Sequence, residues 1–267
     1  VKDEAMPIAS WGYAVFAATM VAIGILGLLR GDIIGIWDSV PKDFPVHGFL
    51  RYLSACIVLA CGIGLFWRRT AAAAARVLLV YLLLWLVLFK VPVLIRGFAV
   101  EVSWESCSET VVIVAGAWAA YAWLAGEQDT KRRVGLAVGD RGVRVARTLY
   151  GLALIPFGLA HLSYLKQTAS LVPAWLPSHA AWATLTGCTY IAAGLAVLTG
   201  VAARLAAVLS TTQMGLFTLL VWLPLVATNP RDPDQWSETV ISWTLTAAGW
   251  VIADSYRGMA WLAVGKR

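Results

Sequence analysis

Charge is scarce in this chain. Asp, Glu, Lys and Arg make up 13% of its 267 residues, about half the share found in soluble domains. Histidine is rarer still, at three residues. No Cys-x-x-Cys, no Cys-x-x-Cys-His and no glycine-rich nucleotide loop occurs, so the motifs of redox thiols, attached haem and nucleotide phosphates are all missing. Of the four cysteines, Cys56 and Cys61 fall five apart on one helix, on different faces, which excludes a local disulfide. His47 and Cys56 are nine residues apart, roughly 13 Å along a helix, too far to share one metal ion. A haem held between His47 and His179 is not excluded by spacing, although nothing in the sequence calls for one.

What the chain has in abundance is apolar sequence: 60% of its residues are hydrophobic and the mean hydropathy is +0.75. Runs of about 20 apolar residues cross a bilayer as helices. Eight are expected here, at 10–30, 48–67, 72–97, 108–126, 147–165, 180–199, 203–227 and 237–254. The first is too long, and too acidic at its start, for a cleavable signal. The fold class is therefore an all-α integral membrane protein.

The chain also contains itself twice. Val40-Pro41, Phe44-Pro45 and His47 recur 132 positions later as Val172-Pro173, Leu176-Pro177 and His179. Cys56 and Cys188, Gly62 and Gly194, and Pro92 and Pro224 keep the same interval. Ser108-Glu109-Thr110-Val111 returns as Ser237-Glu238-Thr239-Val240 after 129, which predicts one loop shorter by three residues in the second copy. Four spans per copy return the chain to its starting side, so the two copies are parallel, related by an axis along the membrane normal. The first four-helix repeat covers 1–126, a basic linker 127–146, and the second repeat 147–267. Cys56 and Cys188, as repeat partners, could approach each other near that axis.

Basic residues collect on one side: Arg68, Arg69, Lys131–Arg133, Arg141, Arg144, Arg204 and Arg257 among them. The positive-inside rule places that side, with both termini, in the cytoplasm. The formal charge of +6 is then a topological signal and does not point to nucleic acid.

The side chains able to do chemistry fall in the opposite, outer half. His47 and His179 each follow a Val-Pro-x-x-[Phe/Leu]-Pro turn and open the next helix; they are either structural corners or imidazoles serving as proton carriers or ligands. Glu109 and Glu238 open spans four and eight, as helix caps or as proton-handling acids. The box Ser106-Cys107-Ser108-Glu109 suits the cap in one copy. His161 lies near the outer end of span five, where the first copy has Leu29. Lys90 lies in an apolar stretch before Pro92, where the second copy has Trp222; it either snorkels or pairs with Glu109 or another outer acid.

With these residues in view, the second repeat resembles the DoxX family of bacterial membrane proteins, through Gly151–Leu162 (GLALIPFGLAHL), Val172–His179 (VPAWLPSH), Gly194–Ala207 (GLAVLTGVAARLAA) and Trp236–Val240 (WSETV). The resemblance covers most of 147–257 and implies a four-helix membrane unit of the bacterial inner membrane. It also implies a quinone-linked redox subunit acting with other subunits of a membrane complex. Relatives often carry an acid in the second helix, where this chain reads Gly187-Cys188-Thr189-Tyr190, so His161 and His179 become the leading catalytic candidates. The competing expectations are a non-catalytic scaffold within a complex and a small-molecule or lipid carrier.

Overall fold

The computed structural model describes residues 10–30, 45–125 and 137–265, and all regular structure among them is helical. Helices α1 (Trp11–Arg30) and α2 (His47–Leu65) are followed by α3 (Arg68–Trp85), which runs through a π-helical turn, Leu86–Lys90, into α4 (Val91–Arg96). Then come α5 (Glu101–Leu124), α6 (Gly139–Ser163), the short α7 (Leu165–Leu171) and α8 (His179–Thr199). Helix α9 (Ala203–Phe217) passes through a second π turn, Thr218–Trp222, into α10 (Leu223–Thr228), and α11 (Pro233–Ser255) closes the bundle. Residues 40–44 of the first Val-Pro turn and the first half of the expected linker, 127–136, lie outside the described residues.

Among the described residues, seven helices are long and apolar enough to cross a membrane: α1, α2, the run Arg68–Arg96, α5, α6, α8 and the run Ala203–Thr228. Helix α11 is as long, at 23 residues, but its serines, threonines and tryptophans leave it less apolar. It is buried along most of its length, so protein takes the place of lipid around it. Helices α5 and α11 pack together at the centre. Around them α1 leans on α11 and α2, α3 on α2 and α5, α6 on α5 and α8, and α9 on α8 and α11. One continuous hydrophobic core runs through both halves.

Local features return at the interval seen in the sequence. Both π turns sit just before a proline, Pro92 or Pro224, and are 132 positions apart. Proline has no N–H to give and its ring pushes on the carbonyl four residues back, and a wider turn absorbs both effects. Val46 and Ser178 both take left-handed backbone (φ 59° and 54°) immediately before His47 and His179. The Trp104 indole donates to the Phe98 carbonyl, and the Trp236 indole to Pro230, each at 2.9 Å.

Those indole bonds correct the expected short loop. Helices α5 and α11 start at Glu101 and Pro233, the full 132 apart, so the two outer loops are equal. The three additional residues of the first copy lie inside α5, between Trp104 and Ser108, and add most of one turn. The expected starts of spans four and eight, at 108 and 237, were late for the same reason. The polar stretch Glu101–Cys107 is helical because much of it faces protein, and Asp232 caps α11 through its carboxylate (3.0 Å to the Asp234 N–H). Glu109 and Glu238 therefore lie well inside their helices and are not caps. Helix α6 begins at Gly139, so part of the expected linker is helix.

Helices α6 and α8 meet backbone to backbone. A Cβ placed on Gly158 would stand 2.5 Å from the Gly187 carbonyl oxygen, and one on Gly194 2.7 Å from that of Gly151. Without water, helix association relies on such close approach. Gly158→Val is expected to destabilise the protein by about 1–3 kcal/mol in reversible unfolding from mixed micelles. Gly48→Ala, at a position with nothing within 4 Å, is expected to leave stability unchanged.

Candidate functional site

A groove of about 590 Å³ opens between α8 and α9, walled on one side by the end of α6 and roofed by Val172, Pro173 and Leu176. Its volume falls in the range of small-molecule sites. The roof is the second copy of the Val-Pro turn, whose prolines hold the chain out of a helix. The walls are formed mostly by Ala and Leu, and small residues such as Ala192, Ala193, Ala196 and Ala206 leave the space open. Polar side chains gather at one level, where Thr186, Thr189, Gln213 and His161 meet.

His161 is held rigidly. It is half-buried, three residues beyond Gly158, and its ring packs on Tyr190 and Phe217 with centroids 5.6 and 5.5 Å away. Its Nδ1 lies 2.8 Å from the Phe157 carbonyl. A carbonyl only accepts, so Nδ1 carries a proton and Nε2 of the neutral ring is the acceptor. Nε2 has no hydrogen-bond partner among the described residues, and the ring borders the groove. Gln213 is fixed beside it: its Oε1 accepts from the Thr189 hydroxyl at 2.7 Å and its Nε2 donates to the Thr186 carbonyl at 3.3 Å. The Gln213 side chain also hydrogen-bonds the Tyr190 hydroxyl.

The other expected residues lie elsewhere. His179 opens α8 near the roof and His47 opens α2. Helices α2 and α8 occupy opposite flanks, with the central helices between them, so His47 and His179 share no haem site. Cys56 and Cys188 are exposed on those same flanks and do not meet at an axis. Lys90 is 3% exposed and donates from Nζ to Ser106 Oγ at 2.9 Å; it does not snorkel. Glu238 is exposed at the acidic end of α11 and Glu109 is half-buried on α5. Of the six candidates, then, His161 alone borders the groove.

Sequence reasoning missed Gln213, Tyr190 and Phe217. Gln213 carried a legible signal, as an amide within an apolar span. Tyr190 belongs to the segment Gly187–Tyr190 already marked for its missing acid. No group of three or more His, Cys, Asp or Glu able to hold a metal exists among the described residues. Comparison with known proteins returns no matching family model, curated protein or solved structure.

Filling the groove should empty it of ligand. Ala196→Phe combined with Ala206→Phe is expected to abolish retention of any apolar molecule in native mass spectrometry of the lipid-embedded protein, while the wild-type chain retains one.

Proposed function

We propose that the chain is a DoxX-like, tandemly duplicated subunit of eight spans that takes an isoprenoid quinone into the groove between α8 and α9. Electrons pass to or from a partner subunit of the same membrane complex. The protein sits in a bacterial inner membrane with its basic end in the cytoplasm. The observation that carries this reading is His161, which borders a largely apolar groove and whose Nδ1 is tied to Phe157, leaving Nε2 as the ring's acceptor.

The fit is chemical. A neutral imidazole accepts a proton from a hydroxyl and an imidazolium returns one to a carbonyl, the two exchanges that quinol and quinone require. The alanine and leucine walls suit an isoprenoid tail. Three of the segments that carry the resemblance enclose this space: Gly151–Leu162 supplies the wall with His161, Val172–His179 the roof, and Gly194–Ala207 the corner between α8 and α9. The matched π turns and indole bonds support the duplication, with α11 as the eighth span.

Lipid-nanodisc samples are expected to hold about one isoprenoid quinone per chain, identified by mass spectrometry after extraction. Loss of one buried hydrogen bond worth about 1–2 kcal/mol should weaken binding of a short-chain ubiquinone about 5–30-fold in His161→Ala. A quinone-free sample that binds none and comes with stoichiometric partner chains would instead identify a scaffold. Orientation is tested separately in a cysteine-free background. Arg141→Cys should react with an impermeant maleimide only from the cytoplasmic side, and Trp175→Cys only from the other.

A further inference from the structure

We infer that Gln213 determines what the groove takes: it stands where the first copy has Tyr81, and the space so left beside His161 receives the flat ring of the occupant, with the tail running toward the corner between α8 and α9. This rests on the quinone reading of the groove.

The 132-residue interval carries each residue of the groove walls onto a counterpart in the first copy. The small residues are common to both: Ala192, Ala193, Ala196 and Ala206 correspond to Ala60, Cys61, Gly64 and Ala74. Helix α2 packs on α3 as α8 packs on α9, so the same slot is built twice. What differs is the filling. On α3, Tyr81, Trp85 and Phe89 follow one another at successive turns, with ring centroids 5.9 and 4.6 Å apart. Trp85 is buried, and Tyr81 and Phe89 pack against the core. The second copy has Gln213, Phe217 and Val221 at these positions, and all three line the groove. The phenol of Tyr81 and the phenyl of Phe89 have no ring in their place, and the indole of Trp85 has become a phenyl. Interiors are close-packed, and a flat ring from outside restores the packing that these exchanges remove.

Polarity changes together with the space. His161, Thr189, Tyr190 and Gln213 stand where the first copy has Leu29, Ile57, Val58 and Tyr81. The other hydroxyls that line the groove are committed or shared by both copies. Thr168, Ser210 and Thr212 donate to the carbonyl four residues back, at 2.7, 2.8 and 2.8 Å, and Thr186 corresponds to Ser54. Thr189 instead reaches across to Gln213 Oε1 at 2.7 Å, and Gln213 Nε2 reaches back to the Thr186 carbonyl. The amide is thereby fixed at the level of the imidazole. Phe217, one turn along α9, packs on the His161 ring at 5.5 Å, so a ring lying against Gln213 and Phe217 also meets the histidine. Ala206 lies roughly 10 Å from Gln213 along α9 toward the basic end, among Ala196, Leu205 and Leu209, which suit the tail.

The test uses the whole protein in lipid nanodiscs and a short-chain ubiquinone that carries an azide on its ring. After irradiation and digestion, label that plain ubiquinone displaces is expected on His161, on Tyr190 or within residues 213–221. Displaceable label confined to residues 196–209 would put the ring at the basic end and overturn this placement alone. Gln213→Tyr combined with Val221→Phe restores residues of the first copy and should cut labelling about tenfold or more, with a melting temperature no lower than that of the wild type. Gln213→Met, of similar length and without a ring, should label within about threefold of wild type. Full labelling of the double variant, or a loss in Gln213→Met as deep as in the double variant, would overturn the role of Gln213. Absence of displaceable label anywhere in the wild type would overturn the quinone reading, and this inference with it.

Discussion

The contact on which the rest of the site depends is the backbone approach of α6 to α8 at Gly151, Gly158, Gly187 and Gly194. In a bilayer, apolar side chains gain nothing by leaving lipid for one another, so helices associate where their backbones can come close. Here the pairing also fixes the chemistry. His161 comes one turn after Gly158, and a Cβ on Gly187 would lie 3.1 Å from the histidine Cβ. Tyr190 comes one turn after Gly187. Two glycines in contact therefore bring an imidazole and a phenol into contact on the neighbouring turns. Helices α8 and α9, by contrast, face each other across alanines at the groove, and the space between them stays open.

Many polar groups away from the site find partners within the protein, as hydrocarbon demands. Thr19, Thr184, Thr199, Thr212, Thr244 and Thr246 return their hydroxyls to the carbonyl four residues back. At the basic end, arginines stitch helix termini to one another. The Arg147 guanidinium lies 3.8 Å over the Tyr256 ring and donates to the Ser255 hydroxyl and carbonyl. Arg204 covers Trp261 and donates to the Met259 carbonyl at 2.6 Å, while the Ala202 N–H donates to Ala263 at 2.8 Å. Asp254 accepts the Gly12 N–H at 2.9 Å, which ties α11 to the start of α1.

Much of this was legible in the sequence. Hydropathy located the apolar cores of the spans to within a few residues, because lipid-facing surface must be apolar. It failed at the outer ends of α5 and α11, where Glu101–Cys107 and Pro233–Trp236 look like loop. Those residues turn toward protein, and a window average cannot see which way a side chain turns. The 132-residue interval singled out His161 through its unlike partner Leu29, and that residue proved to border the groove. The same symmetry misled for Cys56 and Cys188. Repeat partners meet only when their helices lie at the centre, and α2 and α8 lie at the flanks. The three-residue difference was correctly counted but assigned to a loop, so the turn that carries Glu105 went unread.

The departures from the interval share a character. Lys90 faces Trp222 in the alignment of the two copies, His161 faces Leu29, and Glu105 has no counterpart. Two identical units assembled as a dimer would have to bury each of these groups twice, and each burial in hydrocarbon is unfavourable. A single polypeptide carries each once and lets the halves diverge. Such a chain presents one imidazole to its groove, where a symmetric pair would present two.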